Sequence, residues 1–277
     1  MNERGLRDNL ESRGWLHRNV QPLFVSLFKL IRLTMNYKLP FIFAVALLLG
    51  CTGVHQDVVG QRPTPDDEPV LRRTASVRIV GADHLGHIRA FCSGVVVHQH
   101  LVVTAGHCVK DESLAIHVLL GRGQATAVTE DELIDYQAVR ADQDRELPVE
   151  TIVRHPQLDL AVVVIAGSLN AVVTPADENT PPVAVNEILQ FNGYGLKDGH
   201  LGNYREGKAD MVYPDGDYIW VASGADAICM GDSGGGVFRE SLLVGIIVAG
   251  SSRCSFADKV VLLSPVRQWI FNHRPGV

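Results

Sequence analysis

The chain has no basic stripe, no CxxC pair, no internal repeat and no low-complexity tract, and its lone Gly121-x-Gly123 is too weak a pattern to count as a phosphate loop. Lys and Arg number 25 against 31 Asp and Glu, for a net charge of −6, and six of the basic residues but only three of the acidic ones fall in residues 1–34. The remainder is therefore more acidic than the total suggests, which excludes nucleic acid as a partner. Long apolar runs are scarce. The stretch from Leu23 to Leu49 is broken by Lys29, Arg32 and Lys38, and charge is costly inside a bilayer, which argues against one long membrane anchor. Cysteine is scarce too: five, at positions 51, 92, 108, 229 and 254, an odd number that leaves one over in an exported protein. What the chain does have is 46% apolar and 20% charged residues over 277 positions. That supports a folded core and excludes disorder.

Cys51 is the cysteine left over. It ends the run MNYKLPFIFAVALLLGC, residues 35–51, which has a short polar start with Lys38, an apolar centre, and a small residue before the cysteine. This resembles a bacterial lipoprotein signal, with Leu48-Leu49-Gly50-Cys51 as lipobox and Cys51 as the lipidated new N-terminus. The resemblance implies export, attachment to the membrane through Cys51, and a natural start at Met35, with residues 1–34 an upstream extension. Residues 52–57 follow as a polar tether.

Chemistry concentrates in Cys229–Gly236, reading CMGDSGGG. Ser233 stands there in a frame of glycines that lets the backbone turn tightly, aiming the N–H groups of Gly231 and Ser233 at one point, a pocket for a developing oxyanion. A serine hydroxyl is a poor nucleophile until a base takes its proton, so an imidazole and an orienting carboxylate are required. His107, in TAGHC, and Asp159, in HPQLDLAVVVI, are the candidates. Two Val-rich strands in CSGVVVHQHLVVTAGHC form a hairpin that delivers His107 just after its second strand. His98 and His100 sit in its turn without Cys or carboxylate neighbours and read as solvated rather than as metal ligands. Taken singly, His107 could be a core histidine, Asp159 a strand-start cap, and GDSGG a glycine turn.

Together, and in the order His, Asp, Ser, the three segments resemble the chymotrypsin/trypsin family of serine proteases, over about residues 58–277. The resemblance implies an all-β fold of two packed six-stranded antiparallel Greek-key barrels with a C-terminal α-helix. Barrel 1 would span about 58–170, a linker 171–183, and barrel 2 184–277, with Tyr194 of FNGYGL in place of the family's Trp. It implies disulfides Cys92–Cys108 and Cys229–Cys254. It implies a serine endopeptidase that needs no cofactor or metal, works as a monomer on protein or peptide substrates, and forms an acyl-enzyme through Ser233, His107 and Asp159. Family members are made as zymogens, and the new terminus buries its ammonium against the Asp before the nucleophile, here Asp232. Two sites offer such a terminus, Val58-Val59-Gly60 and Ile79-Val80-Gly81. Cys92 lies only 13 positions after Ile79 and VRIVG alternates as a strand does, so Val58 is the expected terminus, cut by an unidentified activating protease. In SPVRQWIFNHRPGV, Ser264 is the expected N-cap of the closing helix, with Pro265 at its first position.

Departures from the pattern concern specificity and support of the triad. Val248-Ala249-Gly250 stands where the family often has Ser-Trp-Gly, so a hydroxyl that supports the catalytic Asp is missing. Ala227 stands where trypsin-like members put Asp, and Asp226 is one place off. The expected pocket is lined by Ala227, Ile228 and Val248, with Gly250 open at its mouth. Asp258 falls on its wall, or else in a solvated Asp258-Lys259 turn. A rival reading is a catalytically weak relative acting as a binding module or membrane-tethered scaffold.

Overall fold

The computed structural model describes residues 68–127, 134–224, 227–249, 254 and 257–276. The leader with Cys51, the Val58 site, Asp226 and Gly250 lie outside the described residues.

Strands dominate. In chain order they are β1 Ser76–Ala82, β2 Ile88–His98, β3 Leu101–Thr104, β4 Ala115–Leu120, β5 Thr126–Ala127, β6 Arg145–Leu147, β7 Val149–Arg154 and β8 Ala161–Ile165. Then follow β9 Thr174–Pro175, β10 Ile188–Gly193, β11 His200–Leu201, β12 Arg205–Asp215, β13 Tyr218–Ala222, β14 Gly236–Arg239, β15 Leu242–Ala249 and β16 Ala257–Leu262. Runs such as AVVVI in β8 are buried at every position, as expected where a β-branched strand lies within a closed sheet.

The first sheet runs β6-β4-β1-β2-β3-β8-β7 and the second β14-β10-β12-β13-β16-β15-β9, with β14 also pairing β15. That extra pairing closes six strands of the second sheet into a ring, and β9 adds to it in parallel through Leu242↔Thr174. In the first sheet, β6 and β7 are separated by Pro148 alone. Proline cannot donate to a ladder, so one strand is broken into two pieces, one pairing β4 and the other β8. The expected two six-stranded barrels are thus present. A short ladder, β5 with β11, joins the halves through Thr126↔Leu201 and Ala127↔His200.

The larger core draws from both barrels: Ile79, Val95 and Val163 from the first meet Phe238, Ile246 and Val261 from the second. A smaller one, with Leu189, Phe191 and Met211, fills the second barrel alone. Ile79 lies in β1 between Cys92 and Val118 and is fully buried. Arg78 beside it is also fully buried, ion-paired to Asp144, bonded to the Val139 carbonyl and stacked 5.5 Å from the Tyr194 ring. The Arg78–Ile79 bond is therefore closed to a protease in this fold. The chain closes on a 3-10 turn, Ser264–Val266, and a short helix, Arg267–Phe271, that buries Ile270. Leu263 rather than Ser264 stands at the cap position, with no side-chain cap bond, so the expected N-cap is corrected. Among the described residues no helix is long and apolar enough to cross a membrane.

Candidate active site

His107 sits in the 3-10 turn Gly106–Val109 that follows β3. Asp159 ends a tight loop before β8, where the His155 Nδ1 accepts from the N–H groups of Gln157 and Leu158 at 3.2 and 3.0 Å. Burial lowers the His155 pKa, which keeps that nitrogen an acceptor. The two loops meet at the carboxylate: Asp159 Oδ2 lies 2.7 Å from His107 Nδ1, and Oδ1 accepts the His107 backbone N–H at 2.7 Å. Partial burial works to raise the Asp159 pKa, but the His107 ring, its charge, and the N–H groups of His107 and Gly106 hold it below the usual value. The backbone N–H groups of His107 and Gly106 orient the carboxylate. An open groove of about 490 Å³ borders the pair, lined among others by Lys110, Arg154, His155 and Leu158.

The serine turn is fixed from the first barrel. Ser93, fully buried in β2, donates its N–H to the Ser233 carbonyl at 2.7 Å and its hydroxyl to the Gly231 carbonyl at 2.8 Å. Cys108 Sγ lies 3.9 Å from the same Ser233 oxygen. The Cys92–Cys108 disulfide therefore ties the residue before Ser93 to the residue after His107. With both carbonyls turned inward, the N–H groups of Gly231 and Ser233 donate to no group among the described residues. Gly231 and Gly234 have φ of +92° and +85°, and a Cβ on Gly234 would come within 2.0 Å of the Ser93 carbonyl oxygen. Only glycine fits there. The Ser233 hydroxyl is half-buried and makes no hydrogen bond among the described residues. The imidazole and carboxylate are joined directly, while the serine is brought to the same region by its backbone.

Asp232, before the candidate nucleophile, is held from several sides in the uncut chain. Its fully buried carboxylate accepts from the N–H of Gly195 at 2.8 Å, the N–H of Cys229 at 2.9 Å and Arg205 Nη1 at 3.0 Å. Burial pushes its pKa up, opposed by the Arg205 charge and the two N–H groups. Three donors surround it, the setting of a carboxylate. In the uncut chain its side chain thus meets the Arg205 guanidinium, and Val58 lies outside the described residues.

Of the expected pocket residues, Ala227 and Ile228 precede the serine turn, Val248 lies in β15 and Asp258 in β16. Ala227 is half-buried and its carbonyl takes an Arg205 bond at 2.6 Å. Ile228, 1% exposed, belongs to the second core, and Val248 to the larger one. Asp258 is 1% exposed inside β16, paired with Val221, so the solvated-turn alternative is corrected. It accepts from the Ser223 hydroxyl at 3.1 Å, and that hydroxyl accepts the Ile228 N–H. Lys259 points away, toward Asp215 and the Tyr218 ring.

Two residues of the site were not legible in sequence. Ser93 reads as an ordinary strand serine, and only its place beside Cys92 hints at more. Arg205 follows Asn203 and Tyr204 and precedes Glu206 and Lys208, a polar stretch that reads as solvated. Cys92, His107 and Cys108 lie close enough to suggest a metal site, but the two sulfurs are bonded to each other and are not thiolates. The second expected disulfide, Cys229–Cys254, is also formed, with Cα atoms 4.6 Å apart.

Two antiparallel β-barrels sharing a core, closed by a short C-terminal helix, define the trypsin-like fold class. The chain belongs to the trypsin-like serine protease family: residues 71–270 match the family model described as Trypsin. Among relatives, Trypsin 5G1 of Aedes aegypti is 22% identical over 245 residues, 77% of this chain and 83% of that protein. Kallikrein-1E2 of Equus caballus is 26% identical over 220 residues, 69% and 82%. The solved structure of GrC superposes with a TM-score of 0.59 at 18% identity, covering 73% of this chain and 94% of that one. HL collagenase gives 0.53 at 18%, covering 72% and 92%. These structural likenesses concern the fold.

Proposed function

We propose that this chain is an active serine endopeptidase. The observation that carries the reading is the 2.7 Å contact of Asp159 with the His107 ring, in the same region as a serine turn whose Gly231 and Ser233 N–H groups have no acceptor among the described residues. In this reading His107 Nε2 takes the Ser233 proton as Oγ bonds to the peptide carbonyl carbon. The resulting oxyanion is held by the two N–H groups, a contribution of roughly 3 kcal/mol per donor in enzymes of this kind. Collapse breaks the C–N bond, and His107 returns the proton to the leaving amine. Water then repeats the sequence on the acyl-enzyme, using the same base, and frees the acid. Asp159, with its pKa held down, stays ionised throughout and fixes the Nδ1–H tautomer. Hydrolysis of a protein substrate by the purified chain, abolished in Ser233→Ala, is the expected result. Equal hydrolysis by the variant would remove the reading.

The same proposal places the protein outside the cytoplasm. Two disulfides suit an oxidising compartment, and the LLGC run ending at Cys51 supports lipid attachment to a bacterial envelope. Cleavage near Val58 would free the peptidase from that anchor. Mass spectrometry of the N-terminus tests this: a diacylglyceryl-modified Cys51 is expected, and an unprocessed leader would contradict it.

A further inference from the structure

The residue just before the candidate nucleophile has its charge partner inside the fold. Asp232 and Ser233 share one turn, so where the Asp232 carboxylate sits decides how the turn presents the Gly231 and Ser233 N–H groups. Arg205, at the start of β12, reaches that carboxylate at 3.0 Å. It also donates to the Leu196 carbonyl at 3.1 Å and to the Ala227 carbonyl, and lies 5.4 Å from the centre of the Phe191 ring. One guanidinium thus joins the segment after β10, the approach to Cys229, and the serine turn. Beyond Arg205, the carboxylate is enclosed by backbone. A Cβ on Gly195 would stand 2.3 Å from its Cγ and one on Gly193 2.4 Å from Oδ1. Among the described residues Arg205 is the cation that reaches this carboxylate.

We infer that Arg205 is the positioning residue of this site: its ion pair with Asp232 sets the serine turn in the uncut chain, so the peptidase needs no new N-terminus to become active. Cutting near Val58 then changes where the enzyme is, and leaves its chemistry unchanged. The inference rests on the serine peptidase reading above and extends it to regulation. Guanidinium geometry suits the role, because its fork can hold a carboxylate and two carbonyls at once, which a lysine ammonium does less well.

The test compares the full chain, carrying an inserted protease site between Asp57 and Val58, before and after cutting, by rate of fluorophosphonate labelling and by kcat and KM on a peptide substrate. Cut and uncut forms are expected to agree within about twofold, well under the loss of a single oxyanion donor. Arg205→Met is expected to lower kcat by about 100-fold or more with little change in KM, the pattern of a lost transition-state contact. Arg205→Lys is expected to recover part of that. An uncut chain that is unreactive and becomes reactive on cutting would overturn the inference while leaving the peptidase reading standing. So would an Arg205→Met protein with unchanged kcat. If neither form reacts, the peptidase reading falls and this inference with it. Should Arg205→Met fail to fold, the cut and uncut comparison decides alone.

Discussion

His107 and the Asp159 carboxylate share two bonds, one at the ring Nδ1 and one from the backbone N–H. Asp159→Asn would keep the shape but favour the wrong imidazole tautomer, so kcat should fall by about 10^4 with the fold intact, as steady-state kinetics would show. The sign of the pH effect on stability follows from the Asp159 pKa, which is held below its ordinary value in the fold. A carboxylate of that kind stabilises the folded form above about pH 4 and loses this as pH falls through its folded value. Denaturation of wild type and Asp159→Asn should therefore differ at neutral pH and converge in acid. For activity, Asp159 stays ionised, so the acid limb of kcat/KM should have a slope of one proton. A slope of two would mean that Asp159 titrates with the base. Ala227 stands where trypsin-like members put Asp, so a peptide-library profile should not be confined to cleavage after Lys and Arg.

At the level of elements, the serine turn depends on β2. Ser93 holds two of its carbonyls, and Gly234 fits only because it has no side chain. Gly234→Ala meets both a φ of +85° and backbone at 2.0 Å, and should destabilise the protein by at least about 2 kcal/mol in urea unfolding. The Cys92–Cys108 disulfide closes a 16-residue separation; its removal should cost about 3 kcal/mol on the chain-entropy account. Element positions were largely legible: the Val-rich hairpin, the strand through Ile79 and the β8 run are where periodicity puts them. Breaks were less so. Pro148 splits a strand without ending its barrel, and the closing helix shrinks to five residues behind a 3-10 turn, because local propensity does not register how the ends of an element meet their neighbours. Likewise the Pro-rich stretch taken for a linker supplies β9, since a short segment running beside β15 can use its open edge.

Over the whole molecule, the sequence order His, Asp, Ser and the paired cysteines were enough to reach the architecture, because those motifs are local and short. What they missed is nonlocal. Arg78 with Asp144 and Arg205 with Asp232 are buried charge pairs that each join a strand to a loop distant in sequence, and nothing in a window around either arginine distinguishes it from a solvated one. Burial turned one of them into a lock on a bond that looked cleavable, and the other into the partner of a carboxylate expected to receive a chain end. On the proposed reading, both bear on control rather than on the reaction itself. The measurement closest to the central claim is peptide mapping of the intact chain after reaction with a fluorophosphonate. A single adduct on Ser233, lost in His107→Ala, is the result expected of a serine activated by its imidazole. An unlabelled Ser233 in a folded chain, or labelling that persists at full rate without His107, would contradict it.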